Sequence, residues 1–494
     1  MDKKIFSDIR WNIVITLSIG ILGFISNRVF SEYMGIDTLG LMRLFSQMVA
    51  YLSIVEMGLG TASTYALYKP LLEEDYKRVG IVVTTFSFFY KKIAGMILLL
   101  GLGANIFLPF LLSGNTDYRR VGIYWSLYVI NTAMGYTLAK YSILFTANQE
   151  YNFVRKIQGV ARILFQSLQI IFLIHIQSFI LYILILILEN VFNLYFYRRH
   201  YRKKYSFVVL GKEKDLTLVK DIKNLFWHKM GKLVVNNTDY ILIAKFTTLA
   251  IVGIYSSYIM IYSMIMTLIG ILTPVLVPYI GKYIAGNSEE KIYSCWKKLY
   301  FIYMFLGTNL VFITYRLINP FVKLWLGEEY LLSKGTVVLI MINLFISITR
   351  QITEVFKENS GFFEDIYIPI VESILNLAVS LLLVSKWGLN GVIMGTVCSN
   401  ILIVYLWKPI LIFKRCFKKD WKDYFKNLCE GISRVGISIG ISNLILNSMM
   451  SYMNFETWIG WITSSLITGG ICFAVAGGVF ATNAEFREYK PFFQ

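Results

Sequence analysis

The sequence is short of several things that soluble proteins of its length carry. Only eight prolines, three histidines and five cysteines are spread over 494 residues, and 30 acidic residues stand against 48 Lys+Arg. No CxxC occurs, and Cys295, Cys398, Cys416, Cys429 and Cys472 are scattered and odd in number, which argues against a disulfide framework and against zinc. His175, His200 and His228 lie far apart, so neither a metal site nor a cofactor is expected. Long polar stretches are also scarce. The longest, RRHYRKKYSFVVLGKEKDLTLVKDIK (198–223), is basic and holds no DxD. A membrane-bound glycosyltransferase or polymerase would need a larger extramembrane region or an acidic metal-binding motif, so the chain does not read as an enzyme. No folded basic domain is present to carry nucleic acid, although the net charge is +18.

What fills the chain is apolar. Hydrophobic residues make up 56% of it and the mean hydropathy is +0.59. Apolar runs long enough to cross a bilayer's hydrocarbon core recur throughout, as in NIVITLSIGILGFISNRVF (12–30) and FILYILILILENVFNLYFY (179–197). The first follows MDKKIFSDIR without a small-residue cleavage site, so it reads as a retained span. The fold class expected is an all-α integral membrane protein with about fourteen crossings. Crossings centred near residues 55 and 131 are among them, and one near 237 is the weakest by hydropathy. Most of the Lys+Arg then fall on one side, in 198–223 and in KPILIFKRCFKKDWKDYFK (408–426), which places both termini in the cytoplasm of a bacterial inner membrane.

The two halves echo each other. EEDYKR (73–78) leads to LPFLLSGN (108–115) much as SEEKIY (288–293) leads to NPFVKLWLGE (319–328), and aligning Pro109 with Pro320 sets an offset of 211 residues. Six crossings lie within the offset, an even number, so the lobes should be related by a pseudo-two-fold axis along the membrane normal. The organisation expected is an N-terminal lobe over 1–197, a basic linker over 198–224 and a C-terminal lobe over 225–412. A basic loop over 413–427 and two extra helices over 428–494 complete it.

Ionisable residues inside spans are costly and therefore candidate sites. Asp239 lies roughly 10 Å below the turn near Phe246 at helical rise, too deep for a short side chain to reach water. The offset pairs it with Arg28, and the two are expected to close a gate between lobes. Lys245 is close enough to the surface to serve as an anchor. Arg350 and Glu354 share a helix face, and the offset brings Arg350 beside Lys140. Two such cations suit a diphosphate, while an intrahelical Arg350–Glu354 bridge is the plainer reading. Arg43 and Glu56 occupy the second crossing, where Glu56 is the candidate for ion coupling. Arg162, Glu189 and Glu372 are less telling, since Arg162 and Glu372 are placed near cytoplasmic helix ends.

The stretches NRVFSEYMGIDTLGLMRLF, NNTDYILIAKFTTLAIVGIYSSYIMI, FVKLWLGEEY and GLNGVIMGTVCSNILIVYLWKPILIFK resemble Wzx-type polysaccharide flippases of the multidrug/oligosaccharidyl-lipid/polysaccharide exporter superfamily. That resemblance covers most of the chain. It implies a two-lobed transporter of an undecaprenyl-diphosphate-linked oligosaccharide, serving O-antigen, lipopolysaccharide or related surface polysaccharide. Membrane lipids, a polysaccharide polymerase and a chain-length regulator are the partners implied. Arg28, Arg43, Glu56 and Asp239 would then stand in cavity-lining helices. The alternative is a multidrug or toxic-compound ion antiporter of the same superfamily.

Overall fold

The computed structural model of the protein describes residues 3–56, 59–112, 117–208, 210–219, 238–362 and 367–487. Among these, helices and turns account for the structure and no strand occurs. The chain divides into two compact units, Met1–Gly253 and Ile254–Gln494.

The first unit holds α1 (Lys3–Met34), α2 (Ile36–Leu52), α3 (Leu59–Leu72), α4 (Tyr76–Gly103), α5 (Tyr118–Ala147), α6 (Tyr151–Ile176) and α7 (Phe179–Lys204). Residues 238–246 are also helical, and α8 (Leu249–Gly270) begins within this unit. The second unit continues with α9 (Thr273–Gly286), α10 (Glu289–Leu326), α11 (Lys334–Asn359) and α12 (Tyr367–Trp387). It ends with α13 (Leu389–Ser399), α14 (Trp421–Ser448) and α15 (Trp458–Phe480). Side-chain caps start many of these helices. Asp75, Asp117, Ser178, Ser333, Asp420 and Thr457 each accept a backbone N–H of the first turn.

Eleven described helices are long and apolar enough to cross a membrane. They present large apolar side chains outward, Leu99, Ile106 and Leu382 each being more than 70% exposed. Such faces are stable against hydrocarbon and costly against water, and this is a multi-pass membrane protein. Three expected crossings fall outside the eleven. The one near residue 55 is broken, because α2 gives way to a 3-10 turn at Ser53–Glu56 before α3. The one near 131 is the single helix α5, whose Asn, Ser, Thr and Tyr residues dilute its apolar character. The one near 237 lies largely outside the described residues.

Small residues set the closest approaches. A Cβ on Gly40 would stand 1.8 Å from the Leu249 carbonyl oxygen, and one on Gly253 would stand 2.7 Å from that of Ile36. Only glycine lets α2 and the start of α8 come this near, the small-residue packing that membrane helices use. Gly391 and Gly395, one turn apart on α13, abut Leu383 and Ser380 of α12 in the same way. α14 and α15 pack on each other and on α10 around Phe312, Leu446 and Cys472.

The basic stretch after α7 folds back onto its own unit. Arg78 Nη2 meets Asp215 Oδ2 at 2.6 Å, the Asp215 N–H donates to Thr85 Oγ1 at 2.9 Å, and Lys214 stands 3.8 Å from the centre of the Phe88 ring. Phe207 packs on Tyr76. Hydrogen bonds from Thr217 and then Arg78 hold the Asp215 carboxyl below its ordinary value.

Candidate functional site

In the first unit, charge gathers around buried tyrosines. Arg43 on α2 donates from Nη2 to Asn27 Oδ1 of α1 at 2.8 Å, while its Nε is buried with no hydrogen-bond partner. Asp239 is buried, and the neighbouring Thr238 hydroxyl meets that of Tyr51 at 2.5 Å. Tyr240 lies within electrostatic reach of both Arg43 and Asp239. Arg28 does not join them. On α1 the residues at 26, 27, 30 and 31 are buried and those at 25, 28 and 32 exposed, so Arg28 projects from the opposite helix face. Among the described residues it takes part in no ion pair, and the expected Arg28–Asp239 gate contact is absent from this conformation. The offset aligns depth along the helix but not the face; Arg43 and Asp239 both act on Tyr240. Lys245 is exposed, donates to the Phe110 carbonyl and stands over its ring, as an anchoring residue would.

Arg162 and Glu189 correct a second expectation. Arg162 lies well inside α6 rather than at its end, and its Nη1 meets Glu189 Oε2 of α7 at 3.2 Å. The charges of Arg43 and Arg162 both act on Tyr128 and Tyr182, whose rings each pack on Phe179. Glu56 sits in the 3-10 break after α2, where the Tyr136 hydroxyl bonds to it and to Ser53, with Tyr90 nearby. Broken spans expose backbone groups and are common places for transported ions. Lys140 is half-buried and lies 4.8 Å over the Tyr141 ring.

In the second unit a pocket is lined by Arg350, Thr353 and Glu354 of α11, by Tyr405 and Lys408 beyond α13, and by Tyr424 of α14. Glu354 does not bridge to Arg350. Its Oε1 meets Lys408 Nζ at 2.5 Å and its Oε2 lies 3.9 Å from Lys357 Nζ. Among the described residues Arg350 forms no ion pair and is left to line the pocket. The buried Glu372 of α12 feels Arg350, Lys408 and Glu354. Three cations therefore surround two carboxylates.

The local backbone explains how Lys408 reaches this place. It belongs to a span running Leu389–Phe417, although the charge bias groups it with the cytoplasmic cluster 408–426. After α13 the chain winds as a π-helix over Asn400–Trp407 and resumes at Lys408–Ile412. Pro409 has no N–H to give the Tyr405 carbonyl, and the Tyr424 hydroxyl of α14 donates to that carbonyl instead, at 2.8 Å. Pro409 directly after a lysine in an apolar run was the available signal.

No family model and no curated protein matches the chain. Solved structures do. The lipid II flippase MurJ in an inward closed conformation aligns over 96% of this chain and 99% of its own, with TM-score 0.66 and 13% identity. An inward-facing multidrug resistance MATE family transporter of the MOP superfamily aligns over 81% and 98%, with TM-score 0.65 and 14% identity. The fold is that of MOP-superfamily transporters. A variant of the Vibrio cholerae MATE transporter VcmN shares it too, over 85% and 99%, with TM-score 0.52 and 16% identity. These MOP-superfamily neighbours are transporters and a flippase, not enzymes.

Proposed function

We propose that the protein is a Wzx-type flippase. It carries an undecaprenyl-diphosphate-linked oligosaccharide across the bacterial inner membrane by alternating access, coupled to an ion. One observation carries the reading: Arg350 lines a pocket among membrane-spanning helices and forms no ion pair among the described residues. Such a charge is costly in a bilayer unless an anion joins it, and a diphosphate supplies acceptor oxygens for a guanidinium fork. Arg43 and Arg162, whose charges both reach the buried Tyr128 and Tyr182, give the first unit cations within its bundle as well. Asp239 and Glu56 remain the groups to carry a coupling ion, both termini are cytoplasmic, and the lobes follow the repeat.

The second reading is a multidrug antiporter, favoured by the buried Asp239 and the Arg162–Glu189 pair, since a cationic drug needs carboxylates. Deletion of the gene separates the two. The flippase reading expects lipid-linked oligosaccharide to accumulate on the cytoplasmic leaflet and surface polysaccharide to be lost. Intact polysaccharide with increased sensitivity to cationic drugs would establish the antiporter instead.

A further inference from the structure

Arg316 is a membrane charge that the transport site leaves unused. It lies on α10 before Pro320, seven residues ahead of Lys323, or roughly 10 Å along the helix. Lys323 itself is held at 2.9 Å by Glu328 and at 3.2 Å by Glu456. Arg316 has no such carboxylate among the described residues. Its Nη1 donates to Asn447 Oδ1 at 2.9 Å and to Asn443 Oδ1 at 3.4 Å, and its Nη2 meets only the Met450 thioether at 3.5 Å.

The chemistry of this set is one-sided. Asn443 and Asn447 stand four apart on α14, so their amides share a face. Both spend their oxygen on the guanidinium, and a guanidinium has donors only. What the crevice between α10 and α14 offers a ligand is therefore the remaining Arg316 N–H groups and two amide NH₂ groups, with a full positive charge. Asn447 is exposed and Arg316 half-buried, so the set is open from outside the bundle. Apolar side chains border it, Leu444 and Ile441 of α14 being exposed. A guanidinium stays charged at any accessible pH, and a charge bordered by apolar surface needs an acceptor-rich anion.

We infer that Arg316, Asn443 and Asn447 form a binding site for the phosphate headgroup of a membrane lipid. The apolar rim takes the acyl or prenyl chain and the donor set takes the phosphate oxygens. Two sources supply this chemistry, a bulk phospholipid and the diphosphate carrier lipid. Only the second rests on the flippase reading, and direct binding is scored without any transport.

The test is native mass spectrometry of the purified full chain with added undecaprenyl diphosphate, phosphatidylglycerol or diacylglycerol. The wild type is expected to retain one or both phosphate lipids over diacylglycerol. Arg316→Gln keeps an amide donor for the asparagines but removes the charge, and is expected to weaken that retention about tenfold with unchanged melting temperature. Loss confined to undecaprenyl diphosphate assigns the carrier, and loss confined to phosphatidylglycerol assigns the bulk lipid. Retention equal to wild type, or a lowered melting temperature with unaltered retention, overturns the site and leaves Arg316 a tether between helices. Should Arg316→Gln fail to fold, Arg316→Lys replaces the fork by a point charge. It is then expected to retain several-fold less diphosphate lipid, and unchanged retention overturns the site.

Discussion

Replacing Glu354 by Gln separates an anion site from a cation site by the sign of two responses. The side chains of Lys408 and Lys357 are only 13% and 6% exposed, and Glu354 is 27% exposed, so the pair at 2.5 Å is largely desolvated. Removing one partner of a buried pair costs about 3–5 kcal/mol because the other charge is left behind. The exposed quarter of Glu354 and the proximity of Glu372 to Lys408 reduce that, and about 2–3 kcal/mol is the expectation for Glu354→Gln. For a unit of this size such a loss lowers the melting temperature by about 5–10 °C. If the pocket takes a diphosphate, the carboxylate is also the competitor that the ligand displaces. Glu354→Gln should then bind undecaprenyl diphosphate more tightly while melting lower without it. Saturating lipid should restore much of the lost stability through mass action. Thermal melting of purified protein, with and without undecaprenyl diphosphate, reads both quantities. A variant that melts lower and also binds the diphosphate lipid more weakly refutes the reasoning. It would make Glu354 a positioning residue for Lys408 and Lys357 rather than a competitor of the ligand.

Other consequences are equally direct. Gly40→Leu should abolish folded protein in size-exclusion profiles, because even a Cβ at this position meets the Leu249 carbonyl at 1.8 Å, and Gly20→Leu, with open space around it, should not. Tyr424→Phe leaves the Tyr405 carbonyl without its donor beside Pro409, and a loss of about 1–3 kcal/mol should show as a lowered melting temperature. The Asp215 carboxyl is held below its usual value of 3.8, so its stabilisation is present above that pH and lost as pH falls through the lower folded value. Exchange of the Asp215 amide hydrogen, bonded to Thr85, should therefore be protected alike at pH 5 and pH 8, apart from the intrinsic rate, and deprotected in Asp215→Asn. Arg162→Ala should cost more in complementation of surface polysaccharide than the double variant Arg162→Ala with Glu189→Ala, which leaves no unpaired carboxylate.

Hydropathy made the helical membrane class readable from sequence, because a bilayer admits few alternatives and apolar runs advertise themselves. The places where charge sits along a helix were read less well, and for two physical reasons. Depth depends on where a helix begins and ends: α6 already begins at Tyr151, and the Leu389–Phe417 span runs on past Lys408. Arg162 and Lys408 thus moved from the surface into the bundle. Orientation depends on the 100° turn between successive residues, which an internal repeat of low identity does not preserve, and Arg28 falls on the exposed face of α1. Glu56 was legible as an acid within an apolar stretch but not as the residue of a helix break, since SIVE holds neither proline nor glycine to announce one.

α14, the first of the two helices expected to lie beyond the repeat, is tied to the second unit at both ends. At one end Tyr424 of α14 replaces the hydrogen bond that Pro409 withholds, next to Lys408 and therefore next to Glu354. At the other end Asn443 and Asn447 of the same helix orient Arg316 of α10. One straight helix thus touches a cationic pocket and a cationic crevice some 20 residues apart, roughly 30 Å at helical rise. An appendix that merely filled space between lipid and core would need apolar contacts at both ends, as it has in between, where Gly431 faces Met304 of α10. Polar residues at both ends and an apolar contact at the middle are what a headgroup-scale polar zone at each membrane surface requires. On the flippase reading proposed above, α14 is part of the path a charged lipid headgroup meets rather than an addition to it.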